Sequence, residues 1–253
     1  MAGIFMDSGA FSAYTQKTTV DINKYIEFLH ANKHKLDVYC CLDVIGDAEA
    51  TWKNFDIMKK AGLDPLPVFH VGEDFKYLHK CLEYEYFCLG GMATTILKNN
   101  RAAFLDKCFS IICDKEGYPK SKVHGLGMTD FELMLRYPFY SVDSTSWRIY
   151  AANGLVLIPA RGKDDEYDYK KLPHAISFCN SLRNRANDHF ESCSKDYQEF
   201  VLKYLESKNY TPKDMKEDNR ARSFINVMYF MDFQDHLPEW PWKFNKSRVN
   251  FFH

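Results

Sequence analysis

The stretch KVHGLGMTDFELMLRYPFYSVD, residues 122–143, holds one full period of the chain's organisation. Lys122–Gly127 is a short apolar run ending in a glycine-rich step. Thr129, with Glu132 three residues on, is a capping-box pattern ahead of Leu133 and Leu135, and Phe139–Asp143 is a second apolar run that ends on an aspartate. Strand, helix and strand in this order predict a unit of two parallel strands joined by a crossover helix.

The alternation continues outward. Gly3–Asp7, Asp37–Asp43, Leu66–His70 and Tyr86–Gly91 precede it, and Leu155–Pro159 is a seventh candidate strand. Between the runs, Asp21 caps a stripe of Ile22, Tyr25, Ile26 and Leu29. Asp47 opens a helix that turns Trp52, Phe55 and Met58 inward, with Gly62 at its end. Phe75, Leu78 and Leu82 mark a third helix; Phe104, Leu105, Cys108, Ile111 and Ile112 mark a fourth. This pattern predicts an α/β fold with a parallel sheet and helices packed outside it, and by itself fits both a closed barrel and an open doubly wound sheet. After Pro159, Arg161–Glu166 reads as a solvated charged loop. Helical stretches around Ala175–Asn187 and Tyr197–Lys208 follow, then a lysine-rich connector and an aromatic tail with Trp240, Trp242, Phe244, Phe251 and Phe252.

The 253 residues are 46% hydrophobic and 16% aromatic, enough for a substantial core, and the formal net charge of −1 gives no sign of nucleic-acid binding on charge alone. The eight cysteines sit mostly among apolar neighbours, which predicts buried thiols in a reducing compartment. With neither a signal peptide nor a long uncharged apolar run in view, the expectation is a cytoplasmic protein with no membrane partner.

Polar residues cluster at the ends of the runs. Asp7, Asp43 and Asp143 each close a predicted strand, and glycine-rich steps follow at Gly90-Gly91 and at Gly125 and Gly127. In a parallel sheet these ends share one face, where sites are built. Asp47 falls in the next loop and reads as a helix cap. Paired carboxylates suit attack on an anomeric carbon, one ionised as nucleophile and one less acidic that moves the leaving group's proton.

Four motifs then match one family in order. Asp7-Ser8-Gly9-Ala10-Phe11 resembles the DSGGFQ motif of the tRNA-guanine transglycosylases. Leu89-Gly90-Gly91-Met92 resembles their LGG-leucine motif, Val123–Gly127 their methionine-glycine-valine-glycine strand, and Ser141-Val142-Asp143-Ser144-Thr145-Ser146-Trp147 their nucleophile segment. Leu42–Ala48 and Pro67–Glu73 have the look of the short phage and bacterial branch, which includes DNA-guanine transglycosylases.

The resemblance implies a (β/α)8-type TIM barrel, incomplete or modified at its N-terminus, with a helical C-terminal extension. It would be a single domain over 1–253, with residues 1–160 as its core and 161–253 closing or decorating it. Asp143 would be the nucleophile and Asp7 the general acid/base. Asp43, Ser8, Gly9, His70, Gly90, Gly91, Met92 and His124 would surround the base, and Arg148 and Arg161 would meet nucleic acid. The expected partners are DNA first and tRNA second, with a 7-deazaguanine base as second substrate; relatives are often homodimers. The family's C-x-C-x-x-C zinc motif is absent and the spacing of His174, Cys179, His189 and Cys193 fits no standard site, so no metal or cofactor is expected. An N-glycosidic hydrolase and a non-catalytic binding subunit are the competing readings.

Overall fold

The computed structural model describes residues 3–92, 101–179 and 189–244. The chain is mixed α/β and forms two compact units, Met1–Asp143 with Trp240–His253, and Ser144–Glu239. The boundary falls at Asp143, where the sequence had suggested one domain with a change of character near residue 160.

In the first unit the six expected runs become β1 (Phe5–Met6), β2 (Val38–Tyr39), β3 (Val68–His70), β4 (Tyr86–Gly90), β5 (Lys122–Gly125) and β6 (Ser141–Val142). β3 to β6 form a four-stranded parallel sheet in sequence order. β1 and β2 form a parallel pair, tied to the run before β3 by a parallel bridge between Cys40 and Leu66. The array is curled. Four strand spacings of about 4.8 Å would hold β1 roughly 19 Å from β5 on a flat sheet, yet the rings of Phe5 and His124 stack with centroids 3.9 Å apart. Among the described residues no closed barrel is formed.

The helices of this unit are α1 (Ala10–Thr15), α2 (Ile22–Asn32), α3 (Ala48–Lys60), α4 (Phe75–Cys81), α5 (Arg101–Ile112) and α6 (Phe131–Arg136). Asp21 caps α2 by accepting from the amides of Asn23 and Lys24, and Asp47 caps α3 through Ala50. Trp52, Phe55 and Met58 are buried as their spacing requires, and Gly62 ends α3 with φ +76°. The cap of α6 differs: Asp130 accepts from the Leu133 amide, and Thr129 stands one place outside the helix. The aromatic tail is an anchor. Trp240 donates to the Pro138 carbonyl and meets the Tyr140 ring edge-on, and Phe244 stacks on Tyr137 while its amide bonds the Gly117 carbonyl. Lys246, Arg248, Phe251 and Phe252 lie outside the described residues.

In the second unit, α7 (Ser146–Ala152) precedes β7 (Leu155–Ile158), the seventh expected strand, which pairs antiparallel with β10 (His174–Ser177). Residues 175–177 are therefore strand where helix was expected, and the rest of that stretch from 180 on lies outside the described residues. The charged run 161–166 is the tip of a hairpin between β8 (Ala160–Arg161) and β9 (Tyr167–Asp168), with Asp164 and Asp165 at positive φ. α8 (Lys195–Ser207) is as read. The supposed connector holds α9 (Pro212–Glu217) and the 17-residue α10 (Asn219–Asp235). The apolar stripe of α10 is interrupted because its buried face carries Arg222 and Asn226. Asn226 accepts from the Leu157 amide and donates to the Leu155 and Trp147 carbonyls, and Arg222 donates to the Ala151 and Met215 carbonyls, so both polar groups are satisfied in place.

Candidate active site

Parallel strands place their carboxyl ends together. Asp7 follows β1 by one residue, Asp43 lies shortly beyond β2, His70 and Gly90 end β3 and β4, and Asp143 follows β6. The three aspartates lie close enough that the charges of Asp43 and Asp143 both act on Asp7.

Asp7 begins a tight turn. Its carboxylate accepts from the Ser8 amide at 2.8 Å, and Gly9 takes φ +75° to start α1. Partial desolvation, followed by repulsion from Asp43 and Asp143, pushes the Asp7 carboxyl above the ordinary carboxylate range. Ser8 faces inward and donates its hydroxyl to Asp43 Oδ1 at 2.6 Å.

Asp143 moves the other way. Its side chain is 48% exposed, and Oδ1 accepts from the Gly127 amide at 2.9 Å and from His124 Nε2 at 3.3 Å. Partial burial works against ionisation, but the His124 bond, the Gly127 amide and the nearby imidazole hold this carboxyl below the ordinary range. His124 is only 2% exposed and is fixed on every side. Phe5 stacks on its ring, Nδ1 pairs with Ser141 Oγ at 2.6 Å, and Ser141 Oγ pairs in turn with the Tyr86 hydroxyl at 2.6 Å. A chain of contacts thus runs from Tyr86 through Ser141 and His124 to Asp143. In this arrangement His124 bears on the Asp143 carboxylate and carries the Phe5 ring on its face.

Asp43 is 7% exposed and His70 3%. His70 Nε2 lies 2.9 Å from Asp43 Oδ2, and Nδ1 lies 3.4 Å from Glu73 Oε1. Burial opposes the imidazolium, but the adjacent carboxylates of Asp43 and Glu73 outweigh it and raise the ring to about 9. Since that lies above the ordinary 6.5, His70 contributes stability that is fully present below about 6.5 and is lost as pH rises through about 9. His70 supports Asp43 from within.

The step after β4 is glycine for a steric reason. A Cβ on Gly90 would lie 2.4 Å from His70 Cδ2, and one on Gly91, at φ +88°, would press on Val71 at 3.0 Å. Met92 is buried. Gly90→Ala is expected to push the imidazole off Asp43 and lower stability by about 2 kcal/mol. Urea unfolding at unchanged m-value measures it, and an unshifted midpoint would mean that the ring moves freely.

Arg148 and Arg161 belong to the second unit. Arg148 is exposed on α7, and Arg161 forms ion pairs with Asp165 and Asp196. Among the described residues no group of three or more histidine, cysteine or acidic side chains could hold a metal ion. His174 pairs with the Tyr197 hydroxyl, Cys179 with the Lys216 carbonyl and Cys193 with the His189 carbonyl. No described helix is long and apolar enough to cross a membrane.

Sequence reasoning missed Glu73, Ser141 and Tyr86. The signal for Glu73 was its place three residues after the strand-ending His70, across a turn that Gly72 makes at φ +89°. No protein-family model, curated protein or solved structure matches the chain.

Proposed function

We propose that the chain is a guanine transglycosylase that exchanges guanine in a nucleic acid, DNA before tRNA, for a 7-deazaguanine base. The observation that carries the reading is the opposite displacement of two neighbouring carboxyls, Asp143 held below the ordinary range and Asp7 above it. Environments that push two acids apart assign their roles. In this reading the Asp143 carboxylate attacks C1′ of the nucleotide. The C1′–N9 bond breaks, its electron pair leaves on guanine, and Asp7 supplies the proton that the departing base takes up. The sugar is then an ester of Asp143. The incoming base gives its N9 proton to Asp7, and its nitrogen displaces the ester, which restores both carboxyls to their starting forms.

Asp43 and Ser8, with the close-packed backbone at Gly90 and Gly91, form the base end of the site. A duplex substrate must extrude its nucleotide, at a few kcal/mol. The preference for DNA rests on the likeness of Leu42–Ala48 and Pro67–Glu73 to the short branch. The fold proposed with this activity is a (β/α) barrel whose first six strands are β1 to β6 in sequence order.

The half-exposed Asp143 side chain favours one second reading, an N-glycosidic hydrolase in which water takes the place of the incoming base. Incubation with DNA and, separately, with tRNA, in the presence of labelled 7-deazaguanine bases, decides between them. Label in the polymer and a denaturation-resistant protein–nucleic acid band support exchange. Released guanine without incorporation supports hydrolysis, and neither product would sink both.

A further inference from the structure

We propose that Glu73 is a positioning residue for base recognition: acting through His70, it keeps the Asp43 carboxylate aimed as an acceptor for the N–H edge of the base. The inference rests on the transglycosylase reading and names a residue which that reading does not require.

The geometry is a buried carboxylate–imidazole–carboxylate row. The side chains of His70 and Asp43 are 4% and 6% exposed, and that of Glu73 is 4%. The row is locked at its far end, because Glu73 Oε2 accepts from the His70 amide at 3.0 Å and the Glu73 amide donates back to the His70 carbonyl at 3.3 Å. His70 Nδ1 and Glu73 Oε1, 3.4 Å apart, make no hydrogen bond, so Glu73 acts on the ring as a buried counter-charge, which favours the imidazolium. Each Asp43 oxygen already meets one internal donor, Ser8 Oγ at Oδ1 and His70 Nε2 at Oδ2. A carboxylate has about four lone-pair sites, so roughly two remain, the number that a guanine-type edge with a ring N–H and an exocyclic amino group can fill.

The charge balance has the right sign. Two carboxylates and one imidazolium leave one negative charge, which faces hydrogen-bond donors. The other groups near the row do not neutralise it. The Cys41 thiol, beside Asp43, and the Cys81 thiol on α4, beside Glu73, are both pushed up and stay neutral, and Asp7 adds repulsion. From β4, Gly90 packs on the ring and brings no side chain. Without Glu73, His70 loses one of its two counter-charges and gives up its proton at lower pH; Asp43 then loses a charged donor and its fixed direction.

The test uses the full chain with nitrogen-labelled imidazoles. His70 is titrated by NMR in the wild type, Glu73→Gln and Glu73→Asp, and KM for the free 7-deazaguanine base and kcat are measured across the same pH range. Wild-type His70 is expected to keep its proton to about pH 9. In Glu73→Gln it should deprotonate about one to three pH units lower. KM for the base in that variant should then rise roughly tenfold per pH unit above the new midpoint, with kcat within about twofold and with Glu73→Asp recovering most of the loss. A wild-type His70 already neutral at pH 7 overturns the inference whether or not Glu73→Gln folds. Normal wild-type exchange, with a KM profile that Glu73→Gln does not move, overturns it alone. Failure of the wild type to bind or exchange any guanine-type base overturns the transglycosylase reading and this inference with it.

Discussion

Asp143→Asn is expected to lower base exchange by about four orders of magnitude or more and to abolish the covalent adduct, with the fold intact. The amide matches the carboxylate in size, and its oxygen can still accept from the Gly127 amide that holds Asp143 at 2.9 Å. On the proposed mechanism only the nucleophile is lost. A held-down carboxyl contributes stability that is present above its unfolded-state value, near 3.8, and is lost as pH falls through its lower folded value. The variant should therefore be slightly less stable than the wild type at neutral pH and should converge on it in acid. Incorporation of labelled base, read with a denaturing gel, measures the main effect. Exchange within tenfold of the wild type would remove Asp143 from the reaction.

Asp7→Asn should lose exchange by about two to four orders of magnitude and yet gain stability at neutral pH. The Asp7 carboxyl is raised in the folded chain, so the native state binds its proton more tightly than the unfolded state does. Stability from this group is greatest below the unfolded value of 3.8 and declines as pH rises through the raised folded value, because the ionised form sits against Asp43 and Asp143. An asparagine relieves that repulsion and can still accept from the Ser8 amide. The expected pairing is a higher thermal midpoint at neutral pH with a crippled enzyme. A variant that is inactive and also less stable would recast Asp7 as the keystone of its own turn. With Asp7 needed protonated and Asp143 ionised for the first step, the wild-type rate should trace a bell whose acid limb belongs to Asp143 and whose alkaline limb belongs to Asp7.

The first unit was legible because its signals are local. Each of β1 to β6 is a short apolar run closed by an aspartate, histidine or glycine, and Asp21 and Asp47 cap their helices within three residues. That Asp7, Asp43 and Asp143 share one end of the sheet follows from parallel strands alone. The second unit resisted because its decisive contacts are distant. α10 hides behind Arg222 and Asn226, polar residues on a buried face whose partners, Ala151 and Leu157, lie some 70 residues away. β10 looked helical because its partner β7 is remote and antiparallel. Within the site, the two histidines were assigned to the base since a motif records position along the chain. What lies behind a residue is a matter of packing, and here it is Glu73 behind His70 and Ser141 behind His124.

The return of the tail to Pro138 and Gly117 makes the second unit an insertion in the first. A chain emerging from the ribosome would complete the described strands and helices of the first unit before residue 144, yet the rings of Tyr137, Phe109 and Tyr140 would have to wait for Trp240 and Phe244, made only after the whole of the second unit. The nascent first unit would carry an uncovered aromatic seam throughout the synthesis of the second, and a chain cut after Glu239 would carry it permanently.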